Sequence, residues 1–144
     1  MECPMPTINT NDDQHLTKIF KETKSIAIIG LSPDPDKASH RVAVYLQNAG
    51  FKIIPVYPKG EMILGEKVYR SLAEIDVHVD MVDMFRKADF ADELVTQLEG
   101  RTDVKTLWLQ LGIVNNEALT KAKAMGLNVV QNKCTKIEHA RLGL

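Results

Sequence analysis

SIAIIGLSPDPDKASHR, residues 25–41, joins an apolar run to a glycine, a loop of proline and aspartate residues, and a polar stretch. A short apolar run that ends in glycine is typical of a buried parallel strand. Beyond the loop, Val42, Tyr45 and Leu46 recur at helical spacing, and Gly50 provides a stop signal. The stretch therefore predicts the first strand–loop–helix unit of an α/β protein.

Strands and helices alternate along the rest of the chain, as parallel strands joined by helical crossovers require. The predicted strands are Ser25–Gly30, Phe51–Val56, Val79–Phe85, Val104–Gly112, which is the longest, and Leu127–Gln131. The predicted helices cover about residues 12–24, 39–49, 88–99, 115–126 and 135–142. The predicted caps are Asp12 or Asp13 and Asn115 or Asn116. Pro55 is placed at the end of its strand because it has no N–H. The pattern predicts a Rossmann-like fold, a doubly wound and mainly parallel sheet with helices on both faces.

The composition limits the classes of function. Of the 144 residues, 44% are hydrophobic and 26% charged, and 18 Lys and Arg against 19 Asp and Glu leave a net charge of −1. Such a chain has no large basic field for nucleic acid or an anionic membrane, so a small-molecule or protein partner is expected. We expect residues 1–11 to form a flexible tail before one domain over residues 12–144. No signal peptide or membrane-spanning run is evident, which predicts a cytoplasmic protein.

The titratable side chains do not form a pattern typical of a metal or catalytic site. Cys3 and Cys134 lie too far apart for a disulfide framework, and the four histidines lack metal-ligand spacing. Cys134 and His139 are five residues apart, so they are not neighbours on a helix and do not predict a nucleophile–base pair. Asp83 lies in an apolar strand, where a carboxyl group is tolerated only if it is hydrogen-bonded, so a structural role is predicted. No catalytic residue and no metal ligand is predicted.

The loop after the first strand is the predicted ligand site. In doubly wound sheets, ligands lie beyond the carboxyl ends of the strands, where the strand order reverses. The helix after this loop presents its amino end, whose free N–H groups and dipole favour an anion. Gly30 alone occupies a position of the GxGxxG dinucleotide fingerprint, and prolines follow it. The loop therefore predicts phosphate binding without identifying the cofactor.

Four residues near the start of this helix are candidate anion contacts. Lys37 and Arg41 place two cations where the helix dipole disfavours them, which indicates a bound anion. Ser39 is predicted both to cap the helix and to contact the ligand, and His40 is a further candidate for a phosphate contact.

The residues at the end of the second strand indicate which nucleotide cofactors fit. NAD-binding Rossmann proteins carry Asp or Glu here, which accepts hydrogen bonds from the ribose. This chain has Val56-Tyr57-Pro58-Lys59 instead. A lysine suits a phosphate on the ribose, and a charge-assisted hydrogen bond to such a phosphate contributes about 1.5–3 kcal/mol. NADP carries this phosphate at the 2′ position and coenzyme A at the 3′ position, so both fit the pattern.

Five stretches of the chain closely resemble the small CoA-binding-domain proteins, which are single-domain relatives of the CoA-binding half of the succinyl-CoA synthetase alpha subunit. The stretches are IAIIGLSPDPDKASHRVAVYL, IIPVYPKGEMILGEKVY, VDMVDMFR, LWLQLGIVN and NKCTKIEHARL, and they cover about residues 25–142. Each stretch is weakly specific alone, but their occurrence in this order is highly specific. Tyr57 stands where these proteins more often carry Asn.

The resemblance implies that coenzyme A binds across the top of the sheet. The pyrophosphate would rest on the first loop and the helix start, at Gly30, Leu31, Ser32, Ser39 and Arg41. Lys59 would face the ribose phosphate, and Val56 to Pro58 would flank the adenosine.

Three further residues are placed near the ligand by their positions at strand ends. Arg86 follows the third predicted strand and either points at the same crevice or pairs with Asp89. Gln110 and Asn115 can reach the pantetheine arm, although Asn115 is equally a helix cap. Trp108, in an alternating apolar stretch, is assigned to the core.

The sequence predicts a protein that binds coenzyme A or acyl-CoA as a non-catalytic binding or regulatory module. An NADP-dependent oxidoreductase is one alternative, but the chain has no substrate domain and no Tyr–Lys pair at helical spacing. A CoA ligase subunit would need a second domain and a phosphorylated histidine. An adaptor protein stabilised by a nucleotide ligand is a further alternative.

Overall fold

Five parallel strands form the central sheet. The computed structural model describes residues 12–144, so the predicted tail and Cys3 lie outside the described residues. The strands of this sheet are β1 (Ser25–Ile29), β2 (Lys52–Val56), β5 (Met81–Met84), β6 (Thr106–Leu109) and β7 (Asn128–Val130). Between β2 and β5, the short strands β3 (Met62–Ile63) and β4 (Glu66–Lys67) form an antiparallel hairpin.

The strand order creates a crevice at the carboxyl edge of the sheet. The order is β2-β1-β5-β6-β7, and all neighbouring strands pair in parallel. The chain runs from β1 to β2 on one side and later returns to β5 on the other side, so the order reverses between β1 and β5. Such a reversal point is the usual ligand site of a doubly wound sheet. The predicted Rossmann-like fold is confirmed.

Helices cover both faces of this sheet. One face carries α1 (Asp13–Glu22), α2 (Ala38–Asn48) and α5 (Thr135–Leu142). The other face carries α3 (Phe90–Leu98), α4 (Asn116–Ala124) and a single 3-10 turn at Leu72–Glu74. Side chains alternate along each strand, so each face has its own apolar core. None of the helices within residues 12–144 is long and apolar enough to cross a lipid bilayer.

Two predicted caps and one predicted core residue are confirmed. Asp12 accepts a hydrogen bond from the His15 N–H at 2.8 Å, and Asn115 accepts one from the Ala118 N–H at 3.0 Å. Trp108 is fully buried, and its indole N–H donates to the carbonyl of Lys133 at 2.8 Å.

Two strand predictions are wrong in detail. The strand β6 has four residues and is shorter than β1 and β2, because its neighbours β5 and β7 offer only four and three residues for pairing. Pro55 lies within β2, opposite Ile28, and not at the strand's end. The Pro55 carbonyl accepts a hydrogen bond from the Tyr69 N–H on the outer side of this edge strand. The missing N–H of Pro55 therefore falls on the side where β1 needs no donor.

At the amino edge of the sheet, one arginine side chain binds several backbone carbonyls. The Arg101 guanidinium donates to three backbone carbonyls at 2.8–3.2 Å, those of Leu72, Ile75 and Val77. It also donates from two nitrogens to the Asp103 carboxylate at 2.8 and 3.0 Å. Burial would raise the pKa of Asp103, but the hydrogen bonds from Arg101 and from a backbone N–H lower it to about 2. The carbonyl groups and the carboxylate at this edge therefore have hydrogen-bond partners within the protein.

A single carboxyl group lies at the centre of the sheet. Asp83 is fully buried in β5, in register with Ile28 and Trp108. Its Oδ2 lies 3.0 Å from Thr135 Oγ1 at the start of α5, and its Oδ1 has no hydrogen-bond partner within residues 12–144. Burial raises the pKa of Asp83 to about 8, although the Thr135 hydrogen bond acts in the opposite direction. The carboxyl group is therefore mainly protonated at neutral pH.

The substitution Asp83→Asn is expected to flatten the dependence of stability on pH. The folded protein holds the Asp83 proton up to about pH 8, whereas the unfolded carboxyl group ionises near its ordinary pKa of 3.8. Between these values the free energy of unfolding should fall by about 1.4 kcal/mol per pH unit in the wild type. Asparagine has no such proton, so the variant should become relatively more stable as the pH rises. Urea unfolding at pH 5, 6, 7 and 8 measures this.

The quantity to compare is the difference in the free energy of unfolding between the wild type and Asp83→Asn at each pH. Burial lowers the pKa of His139, which increases stability as the pH rises toward 6.5 in both proteins and so cancels in the difference. A difference that stays constant across the range would show that Asp83 is ionised in the folded protein.

Candidate functional site

The loop after β1 is held in one shape by its own hydrogen bonds. The Ser39 hydroxyl accepts from the Ser32 N–H at 3.0 Å, and the Ser32 hydroxyl accepts from the Asp34 N–H at 3.1 Å. The ring Nδ1 of His40 lies 2.9 Å from the Ser32 carbonyl. Ser32 and Ser39 are buried, so these contacts are shielded from water. These contacts join the loop to the first turn of α2.

The amino end of α2 has no side-chain cap. Lys37 occupies the N-cap position and α2 begins at Ala38, so the prediction that Ser39 caps the helix is wrong. The Ser39 hydroxyl is turned toward Ser32 because the loop needs an acceptor there. In the part of the chain that the structure describes, no acceptor is in reach of the backbone N–H groups of Ala38 and Ser39. These N–H groups form a helix amino end of the kind that binds phosphate.

The start of the loop is tied to the end of β2. The N–H groups of Gly30 and Leu31 both donate to the Val56 carbonyl, at 2.8 and 3.2 Å. Gly30 has φ +88°, and a Cβ added there would lie 3.3 Å from Arg86 Cδ and 3.4 Å from the Phe85 carbonyl oxygen. A side chain at this position would be strained and crowded, so glycine is required for the close approach of β1, β2 and β5.

Four predicted cations lie at this edge without a carboxylate partner. Lys37, Arg41, Lys59 and Arg86 are exposed, and none of them takes part in an ion pair within residues 12–144. Arg41 donates to the Asp36 carbonyl at 2.6 Å, which holds it beside the loop. The alternative pairing of Arg86 with Asp89 is not observed.

Arg86 instead stacks on an aromatic ring. Its guanidinium carbon lies 4.3 Å from the centre of the Phe90 ring, at the start of α3. Arg86 also lines a small groove between β2 and α3. The groove encloses about 50 Å³ and is lined by Gly30, Val56, Tyr57, Pro58 and Arg86, among others.

Arg70 also lines this groove, and sequence reasoning missed it. Arg70 donates to the Tyr57 carbonyl at 3.1 Å. Arg70 reaches this position because the preceding residue, Tyr69, forms an isolated β-bridge with Val56, the last residue of β2. The hairpin between β2 and β5 creates this long-range contact, and no local motif marks it.

A larger cavity opens on the other face of the same edge, between α2 and α5. This α2–α5 cavity has a volume of about 410 Å³. Its lining includes Phe85 at the end of β5, Gln110 at the end of β6, and Cys134. Gln110 therefore lies at the carboxyl edge of the sheet, where the sequence places it. Asn115 does not line the cavity, because its side chain caps α4.

His139, the remaining histidine candidate, does not line this cavity. His139 is buried, and its Nδ1 lies 2.9 Å from the Tyr45 hydroxyl. Its ring also makes edge contacts with Phe20 and Phe51, so His139 belongs to the core beneath α5. Within residues 12–144, no group of three or more His, Cys, Asp or Glu side chains is arranged to hold a metal ion.

Known proteins of similar sequence and structure fall into one group. The chain is 38% identical over 125 residues to the uncharacterized protein YneT of Bacillus subtilis, covering 87% of this chain and 92% of YneT. A solved hypothetical protein from Pyrococcus horikoshii OT3 has a TM-score of 0.87 at 36% identity and covers 100% of both chains. The alpha subunit of ADP-forming acetate–CoA ligase II from Pyrococcus furiosus is 25% identical over 135 residues, covering 87% of this chain and 30% of that subunit.

The family follows from the extent of the match to a sequence profile. The profile of the CoA binding domain matches residues 24–140, which include all five strands of the main sheet and the loop at the amino end of α2. The chain belongs to the CoA-binding domain family.

Proposed function

We propose that the protein binds coenzyme A across the carboxyl edge of its sheet. The observation that carries the proposal is the uncapped amino end of α2, with Lys37 and Arg41 unpaired beside it at the strand-order reversal. Two free N–H groups and two cations form a site for a pyrophosphate, since each favours negative charge. Membership of the CoA-binding domain family identifies coenzyme A as the ligand to test first.

The groove between β2 and α3 suits the adenosine end of the ligand. Tyr57 and Pro58 offer apolar surface for the adenine, and Arg70 and Arg86 line the same groove. Lys59 follows directly and is exposed, with no ion-pair partner in the described part of the chain. The ribose 3′-phosphate would then be bound by these cations, which favour it over a free hydroxyl.

The role that we propose is binding without catalysis, as a regulatory or carrier module. A reaction at the thioester would need a nucleophile or a general acid–base group beside it. Asp83 lies beneath α5, within hydrogen-bond distance of Thr135, and His139 is bonded to Tyr45 in the core. Cys134 lines the α2–α5 cavity, but no base within residues 12–144 is hydrogen-bonded to its thiol. NADP remains the second candidate ligand, because the cations beside Tyr57 also suit a 2′-phosphate.

Titration calorimetry with three ligands tests the choice of cofactor. We expect coenzyme A to bind most tightly, NADPH more weakly and NADH most weakly, because the end of β2 carries Lys59 in place of the carboxylate that binds a ribose diol. A dissociation constant in the micromolar range, about −8 kcal/mol, is expected for coenzyme A. NADH binding as tight as that of coenzyme A would contradict the electrostatic argument, and NADPH binding tighter than coenzyme A would favour the oxidoreductase alternative.

The substitution Lys59→Ala tests the phosphate contact. We expect coenzyme A to bind about tenfold more weakly, the low end of a charge-assisted contact, because Lys59 is exposed to solvent. Binding of 3′-dephospho-CoA should change much less, since that ligand lacks the 3′-phosphate that Lys59 would contact.

A matched control is Lys105→Ala. Lys105 is also exposed but precedes β6 at the amino edge of the sheet, far from the proposed site. This variant should bind both ligands as the wild type does. Equal losses for coenzyme A and 3′-dephospho-CoA in Lys59→Ala would place Lys59 outside the phosphate site.

A further inference from the structure

The α2–α5 cavity has mainly apolar walls. Val42, Phe85 and Ile113 contribute to its lining. Leu111 and Ile137 also line it, with 62% and 52% of their surfaces exposed. Large apolar side chains left exposed around a cavity indicate a surface that a ligand covers. The chemistry of the walls therefore suits an apolar group.

Gln110 is the buried polar side chain of this cavity. It is 3% exposed, and its Oε1 accepts hydrogen bonds from the Thr135 N–H at 3.1 Å and from the Thr135 hydroxyl at 2.9 Å. A backbone N–H can only donate, so the atom facing Thr135 is the amide oxygen. The amide nitrogen of Gln110 therefore points away from Thr135, on the cavity side. Among residues 12–144 this nitrogen has no hydrogen-bond acceptor.

The orientation of Gln110 depends on a chain of hydrogen bonds that begins at Asp83. The Thr135 hydroxyl carries one proton but lies within hydrogen-bond distance of two acceptors, Asp83 Oδ2 at 3.0 Å and Gln110 Oε1 at 2.9 Å. Both contacts are favourable only if the protonated Asp83 donates to Thr135, which then donates to Gln110. If Asp83 were ionised, the Thr135 hydroxyl would donate its hydrogen bond to Asp83. The lone pairs of the Thr135 hydroxyl oxygen and of the Gln110 amide oxygen would then face each other.

We propose that the α2–α5 cavity binds the short apolar acyl group of an acyl-CoA, with Gln110 donating its side-chain amide to the thioester carbonyl oxygen. This inference rests on the proposed coenzyme A site. The cavity is continuous with that site, because Ala38 and Arg41 at the amino end of α2 are part of its wall. Asp83 and Thr135 act as positioning residues, since they hold the Gln110 amide in its orientation.

A thioester matches the amide donor and the apolar walls of this cavity better than a free thiol does. A thiol sulfur is a weak acceptor, so coenzyme A alone would give the Gln110 amide N–H a poor partner. A thioester carbonyl supplies that acceptor, and its alkyl chain covers the apolar walls. Two cations also line the cavity, but Arg41 donates to the Asp36 carbonyl and the Lys136 ammonium lies 5.9 Å above the Tyr45 ring. Apart from these two cations, Gln110 and Cys134, the lining is apolar, which favours an uncharged acyl group over one that ends in a carboxylate.

Titration of the wild type with four ligands tests the ligand class. The ligands are coenzyme A, butyryl-CoA, succinyl-CoA and S-butyl-CoA, a thioether with the same number of carbons as butyryl-CoA but no carbonyl. We expect butyryl-CoA to bind about tenfold more tightly than coenzyme A, and S-butyl-CoA about fivefold more weakly than butyryl-CoA. Succinyl-CoA should bind more weakly than butyryl-CoA, because its carboxylate would lie against apolar walls.

Variants of the hydrogen-bond chain test the role of Gln110. Gln110→Glu keeps an oxygen for Thr135 and replaces the donor by an acceptor, so it should remove the preference for butyryl-CoA over S-butyl-CoA. Thr135→Val, which lacks the hydroxyl, should reduce that preference about two- to fivefold. Thr135→Ser and Asp83→Asn should retain it, because each preserves the direction of the chain. The ratio of the two affinities is the readout, since a general loss of structure would weaken both ligands alike.

The outcomes separate this inference from the proposed function. If coenzyme A does not bind the wild type, the proposed function is wrong and this inference falls with it. If coenzyme A binds but butyryl-CoA binds no more tightly, only the inference is wrong. Equal affinities for butyryl-CoA and S-butyl-CoA would exclude the Gln110 contact, and succinyl-CoA binding as tightly as butyryl-CoA would exclude the apolar class. Should Gln110→Glu fail to fold, Thr135→Val and Thr135→Ser are compared by the same ratio of affinities. A ratio that is equal in these two variants would exclude the role of the Thr135 hydroxyl in orienting Gln110.

Discussion

The pairing of β1 with β2 on one side and β5 on the other determines where the functional groups of this protein lie. Because all three strands run in parallel, their carboxyl ends meet at one edge. The Val56 carbonyl then binds the N–H groups of Gly30 and Leu31, which brings the loop after β1 against the end of β2. From this junction α2 starts with its amino end beside the crevice. Without the register of these strands, neither the proposed anion site nor the groove beside α3 would form.

The two edges of the sheet differ in how their polar groups are satisfied. At the amino edge, Arg101 binds three carbonyls and the Asp103 carboxylate, and Asp80 accepts hydrogen bonds from the N–H groups of Lys24 and Ser25. At the carboxyl edge, the N–H groups at the start of α2 lack acceptors within the described residues. Buried or clustered polar groups without partners are costly, and they persist where a ligand supplies the partner. This asymmetry supports the proposed ligand site at the carboxyl edge.

Features that depend on local sequence could be predicted, and those that depend on long-range contacts could not. The apolar run of β1 and the caps Asp12 and Asn115 follow from residue type and spacing. The expected cap at Ser39 does not form, because Ser32 uses the Ser39 hydroxyl. Sequence alone also gave no sign of Arg70 at the groove. Similarly, the chain from Asp83 through Thr135 to Gln110 joins three segments up to 52 residues apart, so no local pattern records it.

The position of the site on both faces of the sheet has a consequence for the dynamics of the whole molecule. The groove lies against α3, and the α2–α5 cavity lies in the opposite helical layer, so one extended ligand would bridge layers that otherwise meet only through the strands. Opening of either layer would then require release of the ligand. The amide protons of α2, α3 and α5 should consequently exchange with solvent as one cooperative unit in the complex, and as two separate units in the free protein.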